Sequence, residues 1–248
     1  MAAVGGLEVR LRYLRADGGT RVVSVDDVDA ASVLQGLPVR RPPTYRGQKN
    51  YPGLFWSVTT NGFLIYESLL ELDRLWIADF DVDVSWIATQ PFEVTGRVDG
   101  RTRRHVPDLM LGLTTGKVRV ADVKPAGRLV DPDVAKIFTW TGGLCAGLGW
   151  EYEVWSGSKY AVLRNIKFLG SCRRRVLADA CLADSLLNVF TDGQTIAETI
   201  DSVVVGSASL ASVRPTLFHL MWRQALVGDL TAPLTERTVL RRGPGVVG

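Results

Sequence analysis

The stretch VPDLMLGLTTGKVRVADVKP, residues 106–125, constrains this chain more than any other. Two alternating runs flank Thr-Thr-Gly-Lys, which is the pattern of a β-hairpin. Side chains on a strand alternate between faces, so Val118, Val120, Asp122 and Lys124 share one face. That face begins apolar and ends with two charges. A solvated face would be polar throughout, and a core face would not end in Asp and Lys. A buried sheet face opening into a polar cleft is therefore predicted. With the turn centred on Thr115–Gly116, pairing sets Asp108 opposite residue 122 or 123. Two carboxylates side by side repel each other unless a cation lies between them. Taken singly, Asp108 reads as a turn residue and Asp122 with Lys124 as a surface pair. Their occurrence on one hairpin favours a metal site.

Further carboxylates lie upstream. Leu64, Leu69, Leu72, Leu75, Trp76 and Phe80 predict a helix from Phe63 to Phe80, carrying Glu67 and Glu71 four residues apart on one face. Like charges at that spacing are mildly unfavourable, and a nearby metal or lysine would remove the conflict. Arg74 offers Glu71 a surface ion pair instead. Local sequence does not separate the two glutamates as ligands. Glu71, Asp108, Asp122 and Lys124 would together supply oxygen ligands for a hard cation and a positive charge beside a reacting phosphate. Lys124 would orient or help to deprotonate an attacking water.

Composition narrows the alternatives. Among 248 residues, 46% are hydrophobic and 22% charged, which is the balance of a folded protein of one large or two modest domains. A net charge of +3 gives no global field for nucleic acid, so local clusters must carry that argument. Arg101, Arg103 and Arg104 with His105 form one, Arg173 to Arg175 another, and Arg241 with Arg242 a third. Phosphate contacts and solvated loops account for such runs equally well. Cys145, Cys172 and Cys181 lack paired spacing and read as buried reduced thiols of a cytoplasmic protein. The N-terminus lacks a signal-peptide pattern, and no apolar run reaches the ~20 residues of a membrane helix. Two histidines give little support to zinc hydrolysis or a histidine-based nucleophile, and no GxxxxGK(S/T) loop is present for ATP.

Along the chain, residues 7–25 read as a β-hairpin appended to the first domain, and 38–52 as loop. VSWIA and PFEVTGRV are strand candidates. Asp131 before Pro132 begins a helix that reaches Leu148, EYEVWS is a strand, and YAVLRNIKFL leads away from it. Beyond residue 170 come three helices and short strand-like pieces, the order of a winged helix. Pro215 must be a kink or an early helix position. The predicted architecture is α/β (α+β): a first domain over 1–170 with a mixed central sheet flanked by helices, and a second over 171–248.

The helical carboxylate, Pro107-Asp108 and Asp122-x-Lys124 resemble the PD-(D/E)xK metal-dependent nucleases. More narrowly, YESLLELDRLWIADFDVDVSWIATQPFEV, RRHVPDLMLGL, VRVADVKP and LRNIKFL, within residues 45–170, resemble the TnsA-like endonuclease subunit of bacterial heteromeric transposases. That resemblance implies a restriction-endonuclease-like core, a winged-helix C-terminal region and Mg²⁺, with Mn²⁺ able to substitute. It matches Glu71 rather than Glu67 to the family's catalytic glutamate, leaving Glu67 as a secondary candidate. Asp108 matches the metal-bridging aspartate, and Asp122 and Lys124 match the two strand positions. An aspartate at 122 departs from the glutamine of the best-known form. Gln90 matches a signature position with a structural or DNA-facing role, and Arg103, Arg104 and His105 are further DNA-binding candidates. The implied reaction is hydrolysis of double-stranded DNA at the 5′ ends of a transposon, beside a DDE-type transposase and an AAA+ ATPase regulator. A stand-alone restriction or repair nuclease is the alternative within the class. A non-catalytic winged-helix DNA-binding scaffold is the alternative outside it.

Overall fold

The computed structural model describes residues 9–40, 51–174, 179–204 and 210–244. The chain is a mixed α/β protein that parts into two units, Met1–Asp79 with Asp83–Gly157, and Phe80–Val82 with Ser158–Gly248. Residue 170, where the sequence changes character, lies within the second unit. Among the described residues no helix is long and apolar enough to cross a membrane.

In the first unit, β1 (Arg10–Leu14) and β2 (Thr20–Ser24) form the predicted N-terminal hairpin. It is no appendage. Leu11 and Tyr13 are buried, and β1 pairs antiparallel with β6 (Glu93–Val98), setting Leu11 opposite Val94. β7 (Arg101–His105) extends this sheet, whose order is β2-β1-β6-β7. Its arginines therefore stand on an edge strand rather than on a loop. No hydrophobic alternation marks β7, and only pairing with β6 makes it a strand.

The predicted helix over 63–80 divides in two. β4 (Gly62–Tyr66) pairs with β3 (Gly53–Ser57), and α2 occupies only Leu69–Phe80. Ser68, two residues past the end of β4, starts the helix. Its Oγ accepts from the Glu71 amide at 3.2 Å, while the Glu71 carboxylate accepts from the Ser68 hydroxyl at 2.8 Å and the Glu67 amide at 2.7 Å. This is a variant of the capping box, and it fixes where helical geometry can begin.

The central sheet has the order β10-β9-β8-β5 and contains β5 (Val84–Thr89), β8 (Leu109–Leu113), β9 (Val118–Val123) and β10 (Glu151–Trp155). β8 runs antiparallel to both β5 and β9, whereas β10 lies parallel to β9. That parallel pairing requires a crossover, supplied by α3 (Pro132–Gly147), which Asp131 caps by accepting from the Asp133 amide. Apolar side chains fill both faces. Met110, Val118 and Val120 pack with Leu11, Val94 and Cys145, and Leu109, Leu111, Ala121 and Val123 pack with Leu75, Ala78 and Phe55. Buried on both faces, β8 and β9 read as near-continuous hydrophobic runs, which leaves their charged ends conspicuous.

The second unit contains α4 (Tyr160–Leu169), α5 (Ala180–Val189), α6 (Ile196–Val204) and α7 (Leu210–Trp222), followed by the hairpin of β11 (Leu226–Gly228) and β12 (Leu240–Arg242). Asp179 caps α5 and Thr195 caps α6, the latter with Glu198 reaching back to the Thr195 amide. Pro215 lies inside α7. Asn165, within the LRNIKFL segment, is buried and donates to the carbonyls of Leu230 and Ala232 while accepting from Leu234. Its role is to tie α4 to the connection between β11 and β12. Of the cysteines, all free, Cys145 is buried as expected, but Cys172 is half-buried and Cys181 exposed.

Candidate active site

The site is built from the ends of β8 and β9. Leu109 pairs with Ala121, so Asp108 stands opposite Asp122, in the expected register. The Asp108 backbone is held by β5: the Gln90 amide donates to its carbonyl at 3.0 Å. Its side chain is held by β9, because Oδ2 accepts from the Val123 amide at 2.7 Å. Two strands thus fix Asp108 before any ligand is present.

Asp122, Glu71 and Lys124 all act electrostatically on Asp108. The Asp108 carboxyl is pushed up to about 8, first by burial, then by the charges of Asp122 and Glu71, with the Val123 amide and Lys124 pulling it down. Burial also raises Glu71, partly offset by the amide and hydroxyl it caps. A carboxyl whose ionisation is opposed by burial and by two other carboxylates is the electrostatic condition that a divalent cation relieves. The donor chemistry fits such an ion, since hard cations take carboxylate oxygen. Among the described residues, no three His, Cys, Asp or Glu side chains converge closely enough to hold a metal as they stand. The carboxylates are gathered at the strand ends without forming a closed cage.

The structure separates the two glutamates that local sequence left joined. Glu67 precedes α2, so the pair does not share a helix face; its carboxylate forms an ion pair with Arg40 at 2.8 Å. Glu71 alone acts on Asp108. Arg74 is buried and pairs with Glu153 on β10 at 2.5 Å, not with Glu71.

The DNA-facing candidates fare differently from one another. Arg103 pairs with Asp133 at 3.2 Å and Arg104 with Glu93 at 3.4 Å. The Arg104 side chain remains 72% exposed and is free to turn outward. Gln90 is fully buried and presents nothing to a duplex. Its backbone is left-handed, with φ 41°, and neither its amide nitrogen nor its amide oxygen has a hydrogen-bond partner among the described residues. A strained, buried and unsatisfied amide beside the Asp108 backbone is costly, and such outliers gather at functional sites. His105 is no loop residue. It lies on β7 with Nε2 3.0 Å from Asp122 Oδ1 and 2.9 Å from Oδ2.

One partner was not legible in advance. Tyr152 on β10 donates its hydroxyl to Asp122 Oδ2 at 2.5 Å, and burial followed by the Asp122 charge raises its pKa, keeping it a donor. The available signal was Glu-Tyr-Glu-Val-Trp alternation, which puts Tyr152 on one sheet face without saying what it meets. His219 bonds the Cys172 carbonyl through Nδ1 at 2.8 Å, a structural contact within the second unit. No family model matches the sequence, and no curated protein matches it.

Proposed function

We propose that this chain is a Mg²⁺-dependent endodeoxyribonuclease, the TnsA-like subunit of a heteromeric transposase that hydrolyses a phosphodiester at the 5′ ends of a transposon. The observation that carries the reading is the placement of Asp108 opposite Asp122 at the ends of β8 and β9, with the charges of Asp122, Glu71 and Lys124 all acting on Asp108. The restriction-endonuclease-like assignment of the first unit rests on the mixed sheet with those carboxylates at the ends of β8 and β9. Asp108, Glu71 and Asp122 would hold the ion, and Mn²⁺ would substitute for Mg²⁺. Bound there, the ion would polarise the scissile phosphate and lower the pKa of a water.

The chain's own groups do the rest. Asp108, fixed by β5 and β9, offers the oxygen not taken by the Val123 amide. Lys124 shares the Asp122 face, orients the attacking water and balances charge gathering on the phosphate. Arg104 on the edge strand contacts the duplex backbone. Helices α5, α6 and α7 with the hairpin that follows them suit a winged helix that engages DNA, the DDE-type transposase or the AAA+ regulator.

Asp108→Ala and Lys124→Ala should abolish cleavage of 5′ transposon ends in the presence of the partner transposase, with the fold retained. Wild-type rates in Asp108→Ala would refute the assignment. Asp122, already engaged by His105 and Tyr152, favours a second reading in which the protein is a DNA-binding scaffold. Calorimetry finding sequence-specific duplex binding but no Mn²⁺ or Mg²⁺ binding would select it.

A further inference from the structure

Asp122 is 1% exposed, and its partners arrive from two different sheets. His105 comes from β7, the edge of the first sheet, and spans both carboxylate oxygens through Nε2. Tyr152 comes from β10, the edge of the central sheet, and donates to Oδ2. The Phe138 ring of α3 stands edge-on to His105, with centroids 6.1 Å apart, and restricts the imidazole. Together these contacts immobilise a terminal torsion that is otherwise broad.

Stability alone gives no reason for this design. The same face of β9 carries Val118 and Val120, and a third apolar side chain would close the core without a buried charge. A purely structural carboxylate would also not stand opposite a second carboxylate, that of Asp108, across the β8–β9 ladder. What the network does secure is orientation. Each carboxylate oxygen has two acceptor positions, so Oδ1, with one contact, keeps a free one. Groups behind a ligand that fix its direction govern how tightly the ligand holds a metal.

Building on the endonuclease reading, we infer that His105 and Tyr152 are positioning residues, which lock the Asp122 carboxylate so that its free acceptor position is preset for the divalent cation held with Asp108. Neither touches the reacting phosphate. Their contribution is exerted through Asp122.

The test is Mn²⁺ affinity, measured by titration calorimetry on the full chain without DNA, with thermal unfolding in EDTA as the folding control. Tyr152→Phe, which removes one oxygen, and His105→Ala should each weaken Mn²⁺ binding about 10- to 100-fold while the protein stays folded. His105→Gln, whose amide restores an N–H donor, should recover part of that loss. Unchanged or tighter Mn²⁺ binding in folded Tyr152→Phe and His105→Ala would overturn the inference while leaving the endonuclease reading intact. Wild-type protein that binds no Mn²⁺ would remove both together. Should His105→Ala fail to fold, Tyr152→Phe decides the matter.

Discussion

Asp79 and the Asp108–Asp122 pair are acidic groups in the same unit, Asp79 and Asp122 buried and Asp108 half-buried, and they are treated in opposite ways. Asp79, near the end of α2, accepts from the Ser57 hydroxyl at 2.7 Å, the Thr59 amide at 3.0 Å and the Val58 amide at 3.3 Å. Its charge is matched by donors from the turn between β3 and β4, and it closes that turn. Asp108 receives one amide and faces two further carboxylates. Asp122 is satisfied, but by side chains brought from distant strands. A carboxylate surrounded by local main-chain donors is complete as a structural element. Carboxylates placed against each other remain incomplete, and the completing charge must come from elsewhere.

If that contrast is sound, the two regions should respond to mutation in different currencies. The largest effect is expected for Asp108→Ala: cleavage should fall at least ~10³-fold, with unfolding little changed or improved once the repulsion is relieved. Assays of strand cleavage beside thermal melts measure both quantities. Asp79→Ala should do the reverse. Leaving the Ser57 hydroxyl and two amides without their acceptor should cost about 2–4 kcal/mol of stability, while the folded fraction retains its cleavage rate. Lost cleavage in folded Asp79→Ala would dissolve the contrast.

The pH dependence sharpens it. An aspartate in an unfolded chain titrates near 3.9, roughly, whereas Asp108 is pushed up to about 8 in the fold. With the folded value raised, its stabilising contribution is full below about pH 4 and is lost as pH climbs towards 8. Metal-free protein should therefore melt progressively lower across that window relative to Asp108→Asn, which lacks the titration. Divalent ions must displace the proton, so their binding should tighten with rising pH until about 8. A wild-type melting curve parallel to that of Asp108→Asn would mean that the carboxyl is not held as described.

How much of this was legible beforehand follows from the range of each interaction. The β8–β9 register could be read because alternation and a Gly turn are local, and Asp108 came out opposite Asp122 as expected. The division of residues 63–80 could not be read. Leu64, Leu69, Leu72 and Leu75 satisfy a helical period straight through the strand of β4, and only pairing with β3 shows the break. β7 was hidden because Arg-Thr-Arg-Arg-His carries no hydrophobic period. Tyr152 and His105 meet Asp122 across 30 and 17 positions, joining elements whose adjacency no local pattern encodes. Gln90 stood out in the sequence, but its burial and left-handed backbone belong to the folded state.

The smallest expected effect tests the periphery of the site. Glu67 and Glu71 lie four residues apart, yet one is half-buried against Arg40 and the other caps α2 within the field of Asp108. A partly exposed ion pair such as Arg40–Glu67 contributes about 1 kcal/mol, so Glu67→Gln should change melting by a few degrees and cleavage less than about twofold. Glu71→Gln keeps much of the capping geometry while removing a charge from the carboxylate group, so it should lower cleavage and Mn²⁺ affinity far more than stability. Equal losses of cleavage from the two substitutions would show that position relative to the helix start does not decide which glutamate matters. The difference between the acidic cluster and its surroundings would then have to be drawn somewhere other than at Ser68.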